Sequence, residues 1–128
     1  MKILVINGHP DKESYCQAIF QTIVETIDSN RHELKVINLN EEGFDPVLRY
    51  GYRKRMEEDS FILRSQEWVQ WADHLIFVYP IWWSSMPSLM KGWIDRVFTP
   101  GIAYSANDQG SFIWNYLRGK QFKKLLKG

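Results

Sequence analysis

Ile3-Leu4-Val5-Ile6, closed by Asn7-Gly8-His9-Pro10, is the stretch that decides the fold. A short apolar run rich in β-branched residues reads as a strand buried on both faces, as in a parallel sheet. Such a strand needs helices on both sides, and the sequence supplies strand and helix in alternation. From Ser14 the period changes. Ile19, Phe20, Ile23, Val24 and Ile27 recur at helical spacing, which predicts a helix from Ser14 to Ser29. Leu34–Leu39 (LKVINL) reads as a second strand, and residues 40–53, mixing Gly, Pro, Asn and charge, as a loop. Arg53–Ala72 reads as a helix with Phe61, Ile62, Trp68, Val69 and Ala72 on one stripe. After Asp73, His74–Tyr79 (HLIFVY) is a third strand and Pro80–Met86 a loop. Ser85 then offers an N-cap, with Pro87 in the first turn of a helix where proline is tolerated. Leu89, Met90, Trp93, Ile94, Val97 and Phe98 form its apolar stripe, and Pro100-Gly101 stops it. The alternation calls for an α/β layered domain with a central parallel sheet and right-handed crossovers. With no repeat and no linker, residues 1–128 are read as one domain. Ser105–Ser111 is polar and loop-like, and Lys120–Gly128 (KQFKKLLKG) suits a helix end, a poor strand or a frayed terminus.

Composition narrows the function. The chain has 16 basic and 15 acidic residues, a formal net charge of +1, which gives no support to nucleic-acid or anionic-membrane binding. A single cysteine, Cys16, excludes an internal disulfide and a cysteine-built metal site, so no metal is expected. Met1–Ile6 is too short an apolar run for a signal peptide, and no stretch approaches the roughly 20 apolar residues of a membrane span. The cytoplasm is therefore the expected compartment. Aromatics form 15% of the chain and include six tryptophans, a content that fits either an aromatic core or a site for a flat ligand.

In open α/β sheets, ligands bind beyond the carboxyl ends of the strands. Two loops stand there. Asn7–Cys16 brings hydroxyl and backbone donors to a helix N-terminus, where unpaired amides and the helix dipole favour an anion. Its spacing matches neither Gly-x-Gly-x-x-Gly nor the Walker A pattern. Ser14 serves equally as an ordinary N-cap. The second loop, Tyr79-Pro80-Ile81-Trp82-Trp83-Ser84-Ser85-Met86-Pro87, sets two adjacent tryptophans between prolines. An exposed pair of this kind is costly unless it meets a partner subunit or a flat ligand. A flat aromatic cofactor accounts for the pair, the stiffened loop and the anion site opposite.

These motifs, in order, resemble the NAD(P)H:quinone oxidoreductases, the NAD(P)H dehydrogenases of flavodoxin-like fold. The resemblance is carried by Gly8-His9-Pro10 with Ser14, by Tyr79-Pro80-Ile81-Trp82-Trp83 through Met86-Pro87, by Leu89-Met90-Lys91-Gly92-Trp93-Ile94-Asp95-Arg96-Val97-Phe98, and by Pro100-Gly101-Ile102-Ala103-Tyr104. It implies a flavodoxin-like three-layer sandwich with a twisted parallel sheet of five strands, and a homodimer holding FAD or FMN at its interface. It implies an enzyme that passes a hydride from NAD(P)H to quinones or similar acceptors by a ping-pong route. Carried over by position, His9, Ser14, Tyr15 and Cys16 would line the flavin phosphate and ribityl site. Pro80, Ile81, Trp82, Trp83 and Ser84 would contact the isoalloxazine ring, with backbone amides at its polar edge. His9, beside the expected phosphate, is given an electrostatic or hydrogen-bonding role rather than general acid–base catalysis. No catalytic side chain is assigned. Asp95-Arg96 is expected to anchor the helix or a dimer surface, and Tyr104 to approach the ring of a partner subunit.

Two departures matter. Cys16 stands where many relatives carry Asn, which predicts one weaker polar contact. Relatives continue into a further strand and a Gly-rich flavin loop, and Lys120–Gly128 occupies the place where that strand would begin, so the last strand or strands are expected to be missing. The alternative reading is thus a shortened flavodoxin-like binding or regulatory subunit with weak or no flavin binding and no turnover, acting by protein contact, for instance on a transporter.

Overall fold

Lys2–Asn7 forms β1, and its last five residues are buried, as a strand covered on both faces must be. The structure, a computed structural model, describes residues 1–102. Expectations for the chain from Ala103 onward, including Tyr104, the tail Lys120–Gly128 and any further strands, lie outside the described residues. β1 pairs in parallel with β2 (Glu33–Asn38), Val5 opposite Val36, and with β3 (His74–Val78), Val5 opposite Ile76. Among the described residues the sheet order is β2-β1-β3. The chain therefore leaves the middle strand to one side and returns to the other, which puts the topological switch point at the carboxyl ends of β1 and β3.

Side chains alternate across each strand, so the sheet builds two cores. Ile3 and Val5 join Val78 and Phe20 under α1 (Tyr15–Thr26). Leu4, Ile6, Ile37 and Leu75 face α2 (Ser60–Trp71) and α3 (Ser88–Val97), where Val69, Met90, Trp93 and Val97 close the larger core. This is the three-layer α/β arrangement that the alternation predicts. Of the α1 stripe only Phe20 is buried, because α1 covers a small cluster alone; Cys16, Ile23, Val24 and Ile27 are partly buried, and Ile19 is exposed.

The element limits differ from the sequence reading by a residue at the strand ends, where β2 is Glu33–Asn38 and β3 stops at Val78, and by more elsewhere. The first helix ends at Thr26, not Ser29, because the Asp28 carboxylate takes the Asn30 amide and the Asp28 carbonyl takes those of Arg31 and His32, a turn that competes with the helix. The loop after β2 opens with a 3-10 turn, Leu39–Glu41. The second helix starts at Ser60 rather than Arg53. Asp59 is its cap, and its carboxylate accepts the amides of Phe61 and Ile62, which fixes the first turn there. Ser85 is not an N-cap: α3 begins at Ser88 behind Pro87, and no side chain caps it. A proline disfavours helical backbone at the residue before it, here Met86, so the helix begins after Pro87.

α3 is fastened from two sides. Gly92 lies flat on Pro46, leaving no room for a Cβ. Buried Arg96 donates from Nη1 to the Asp45 carbonyl at 2.9 Å, so this residue does anchor the helix. Asp95 instead pairs with Lys91 one turn away on α3. The Asp45 carboxylate is held by Arg49 at 2.6 Å, and that hydrogen bond keeps its carboxyl below the usual carboxylate range. On the other face, Trp93 is fully buried and donates from Nε1 to the Ser65 hydroxyl of α2 at 3.0 Å.

Candidate functional site

The two strand-end loops lie side by side. The Gly8 amide donates to the Val78 carbonyl at 2.8 Å, extending the β1–β3 ladder one step into both loops. Gly8 is buried against Met90 of α3 so closely that a Cβ would overlap the thioether. The His9 ring then stands edge-on to the Trp82 indole, with centroids 5.4 Å apart. His9 Nδ1 accepts the Asp11 amide at 3.0 Å, so the neutral imidazole carries its proton on Nε2.

Trp82-Trp83-Ser84-Ser85 is a tight turn. The Trp82 and Ser85 backbones exchange both hydrogen bonds, at 2.9 and 3.1 Å. Trp83 sits at φ 51° and Ser84 at φ 60°, the left-handed backbone found at both central positions of a type I′ turn. Neither residue type favours that region, which costs about 1–2 kcal/mol per residue. The turn holds the Trp83 side chain fully in solvent, beside exposed Ile81 and Trp82. Strained backbone that presents a costly apolar side chain is a hallmark of a functional site. We expect Ser84→Gly to raise unfolding stability by about 0.5 kcal/mol, the relief of left-handed strain less the added chain entropy of glycine. Chemical denaturation measures this, and a loss of stability would show that the turn is not strained at this residue.

At the start of α1, Ser14 caps the helix by accepting the Gln17 amide at 3.1 Å, so the ordinary cap role is the one its hydroxyl performs. Tyr15 is exposed at 83% of its surface. Cys16 packs against the apolar cluster under α1. Pro80 is half-buried and Ser84 exposed. The structure thus joins the His9 and Trp82 segments directly. Concavities of about 380 and 470 Å³ lie elsewhere, one at the amino ends of the strands around His32 and one around Tyr52–Asp59. The two loops themselves form an open shelf. Among the described residues no cluster of His, Cys, Asp and Glu could hold a metal ion, and no helix is long and apolar enough to cross a membrane.

A polar group missed in the sequence reading underlies this shelf. Asn7, fully buried at the end of β1, donates from Nδ2 to Gln17 Oε1 at 3.0 Å and to Asn38 Oδ1 at 3.1 Å. Asn38, ending β2, donates to the same Gln17 oxygen at 2.9 Å, and Asn40 does so at 3.1 Å. Asn7 Oδ1 accepts the His9 amide at 3.1 Å, and Asn40 Nδ2 reaches the His9 carbonyl at 3.3 Å. The available signal was Asn at the carboxyl end of each of two adjacent strands, together with the Ser14-x-x-Gln17 spacing of a capping box. Here the Gln17 side chain turns to the asparagines.

Comparison with known proteins gives the same framework. The sequence model of the family described as flavodoxin-like fold matches residues 1–125. A rat (Rattus norvegicus) ribosyldihydronicotinamide dehydrogenase [quinone] is 30% identical over 139 residues, covering 93% of this chain and 59% of its own length. A crystal structure of Smu.1420 from Streptococcus mutans superposes with a TM-score of 0.72 at 38% identity, over 82% of this chain and 57% of that one. An NAD(P)H:quinone oxidoreductase from Methanothermobacter marburgensis superposes with a TM-score of 0.69 at 28% identity, over 81% and 56%. The chain spans about half to three-fifths of the length of these proteins.

Proposed function

This chain belongs to the flavodoxin-like fold family, and from that membership we propose that it is a flavin-dependent NAD(P)H oxidoreductase acting on quinones or similar acceptors. The observation that carries the proposal is the strained turn that holds Trp83 in solvent beside the His9–Trp82 contact, at the carboxyl ends of β1 and β3. Quinone-reducing relatives of the same fold support it.

The residues fit such a group. FAD or FMN would supply two-electron hydride transfer between NAD(P)H and the acceptor. Pro80, Ile81, Trp82, Trp83 and Ser84 would present apolar surface and backbone amides to the flat ring. His9, Ser14 and Tyr15 would face the phosphate and ribityl portion at the N-terminus of α1. Cys16, whose side chain packs inward, would contribute its backbone N–H. His9, with Nε2–H as donor, suits an acceptor oxygen of the ligand. The open shelf would gain its second wall in a homodimer, and the expected setting is the cytoplasm.

Trp83→Ala is expected to weaken FMN binding by about tenfold, because one stacked aromatic is worth roughly 1–3 kcal/mol. Trp68→Ala is expected to leave it nearly unchanged, since Trp68 packs on the larger core and beneath Lys35 and Arg64. Equal losses in a flavin titration would remove Trp83 from the ring site. NAD(P)H oxidation with a quinone acceptor tests turnover.

A further inference from the structure

We propose that Gln17 is a positioning residue of this site, whose side-chain oxygen holds the His9 segment, and through the His9 ring the Trp82 turn, in place for a ligand. What the ligand is rests on the flavin reading above; the positioning itself does not.

Gln17 Oε1 is the shared acceptor of three side-chain amides, from Asn7, Asn38 and Asn40. Two of these also hold His9, one at its amide and one at its carbonyl. The His9 backbone is thereby clamped from both sides by groups that meet at a single oxygen. The ring that this backbone carries is the contact to Trp82. Without that acceptor, Asn40 keeps only its 3.3 Å bond to His9, since its own Oδ1 is buried without a partner. Asn7 is fully buried and keeps only its bond to Asn38 Oδ1, so its second amide hydrogen loses its partner. A buried donor left unpaired is costly, so the asparagines would re-aim and release His9. Gln17 already uses its backbone amide on Ser14, so one residue ties the α1 cap, the ends of β1 and β2, and the ring pair together.

The test compares Gln17→Leu, Gln17→Glu and Asn40→Ala in the full chain. The first readout is the nuclear Overhauser contact between the His9 imidazole and the Trp82 indole in ligand-free protein. The second is FMN affinity. Gln17→Leu is expected to lose the ring contact while unfolding cooperatively, and to weaken FMN binding about tenfold. Gln17→Glu keeps an acceptor oxygen and is expected to keep the contact. Asn40→Ala should weaken the contact in the same direction. A Gln17→Leu protein that retains the contact overturns the proposal, as does a Gln17→Glu protein that loses it. Should Gln17→Leu fail to fold, Asn40→Ala decides, and an unchanged contact there overturns it. If the parent binds no FMN, the flavin reading fails, and the ring contact alone decides the role of Gln17.

Discussion

Gly92→Ala is expected to destabilise the protein by at least about 2 kcal/mol and lower its melting temperature by on the order of 10 °C. Helix propensity alone argues the opposite, since alanine inside a helix is favoured over glycine by about 1 kcal/mol. Packing decides the sign. A Cβ on Gly92 would overlap the Pro46 carbonyl and stand 2.5 Å from the Pro46 Cβ and 2.8 Å from its carbonyl carbon. Those atoms belong to a rigid backbone and a ring, which cannot swing aside as a flexible side chain can. Relief requires α3 to lift from the loop, and that also stretches the Arg96 bond to the Asp45 carbonyl. Gly43→Ala is the control, because a Cβ there meets nothing within 4 Å. Thermal unfolding of the two variants should separate them, and a Gly92→Ala protein as stable as Gly43→Ala would refute the close approach of α3 to Pro46.

The second large effect is at the neighbouring residue. Trp93→Ala is expected to cost about 3–5 kcal/mol, the range for emptying a buried large aromatic site. The indole is fully buried between Phe77 and Phe98, edge-on to both. Its N–H meets the Ser65 hydroxyl in the same core. Ser65→Ala should cost about 1–3 kcal/mol by leaving that N–H unpaired. Trp93→Phe combined with Ser65→Ala should cost less than the sum of the two single changes, because the double variant leaves no orphan donor. Additive losses in urea denaturation would show that the bond contributes nothing. Both predictions concern α3 because it carries the Trp82 turn: the turn leads through Pro87 directly into the helix, and Met90 backs Gly8 on the other loop.

The central strand and the position of the two strand-end loops were legible because they depend on local pattern. The run Ile3–Ile6 has one plausible reading, and loops at strand ends follow from topology once the strands are placed. The start of α2 was misread because Arg53, Lys54, Arg55, Met56, Glu57 and Glu58 are all good helix formers. Only the Asp59 side chain, bonded to the amides of Phe61 and Ile62, marks the true boundary. Ser85 was misread because serine suits both an N-cap and a tight turn, and the backbone exchange with Trp82 selects the turn. The positive φ of Trp83 has no sequence signal at all, since tryptophan is a poor choice for that conformation. The Gln17 cluster was hidden for a different reason. Its members are 10, 21 and 23 residues from Gln17 along the chain and meet only when β1, β2 and α1 assemble.

The most direct measurement is a titration of the purified full chain with FMN and with FAD, followed by absorbance and by the His9 and Trp82 resonances. Saturable binding of one flavin per chain that moves both resonances is the expected result. No binding of either flavin up to about millimolar concentration, or binding that leaves His9 and Trp82 unmoved, would contradict a flavin site on the strained tryptophan turn.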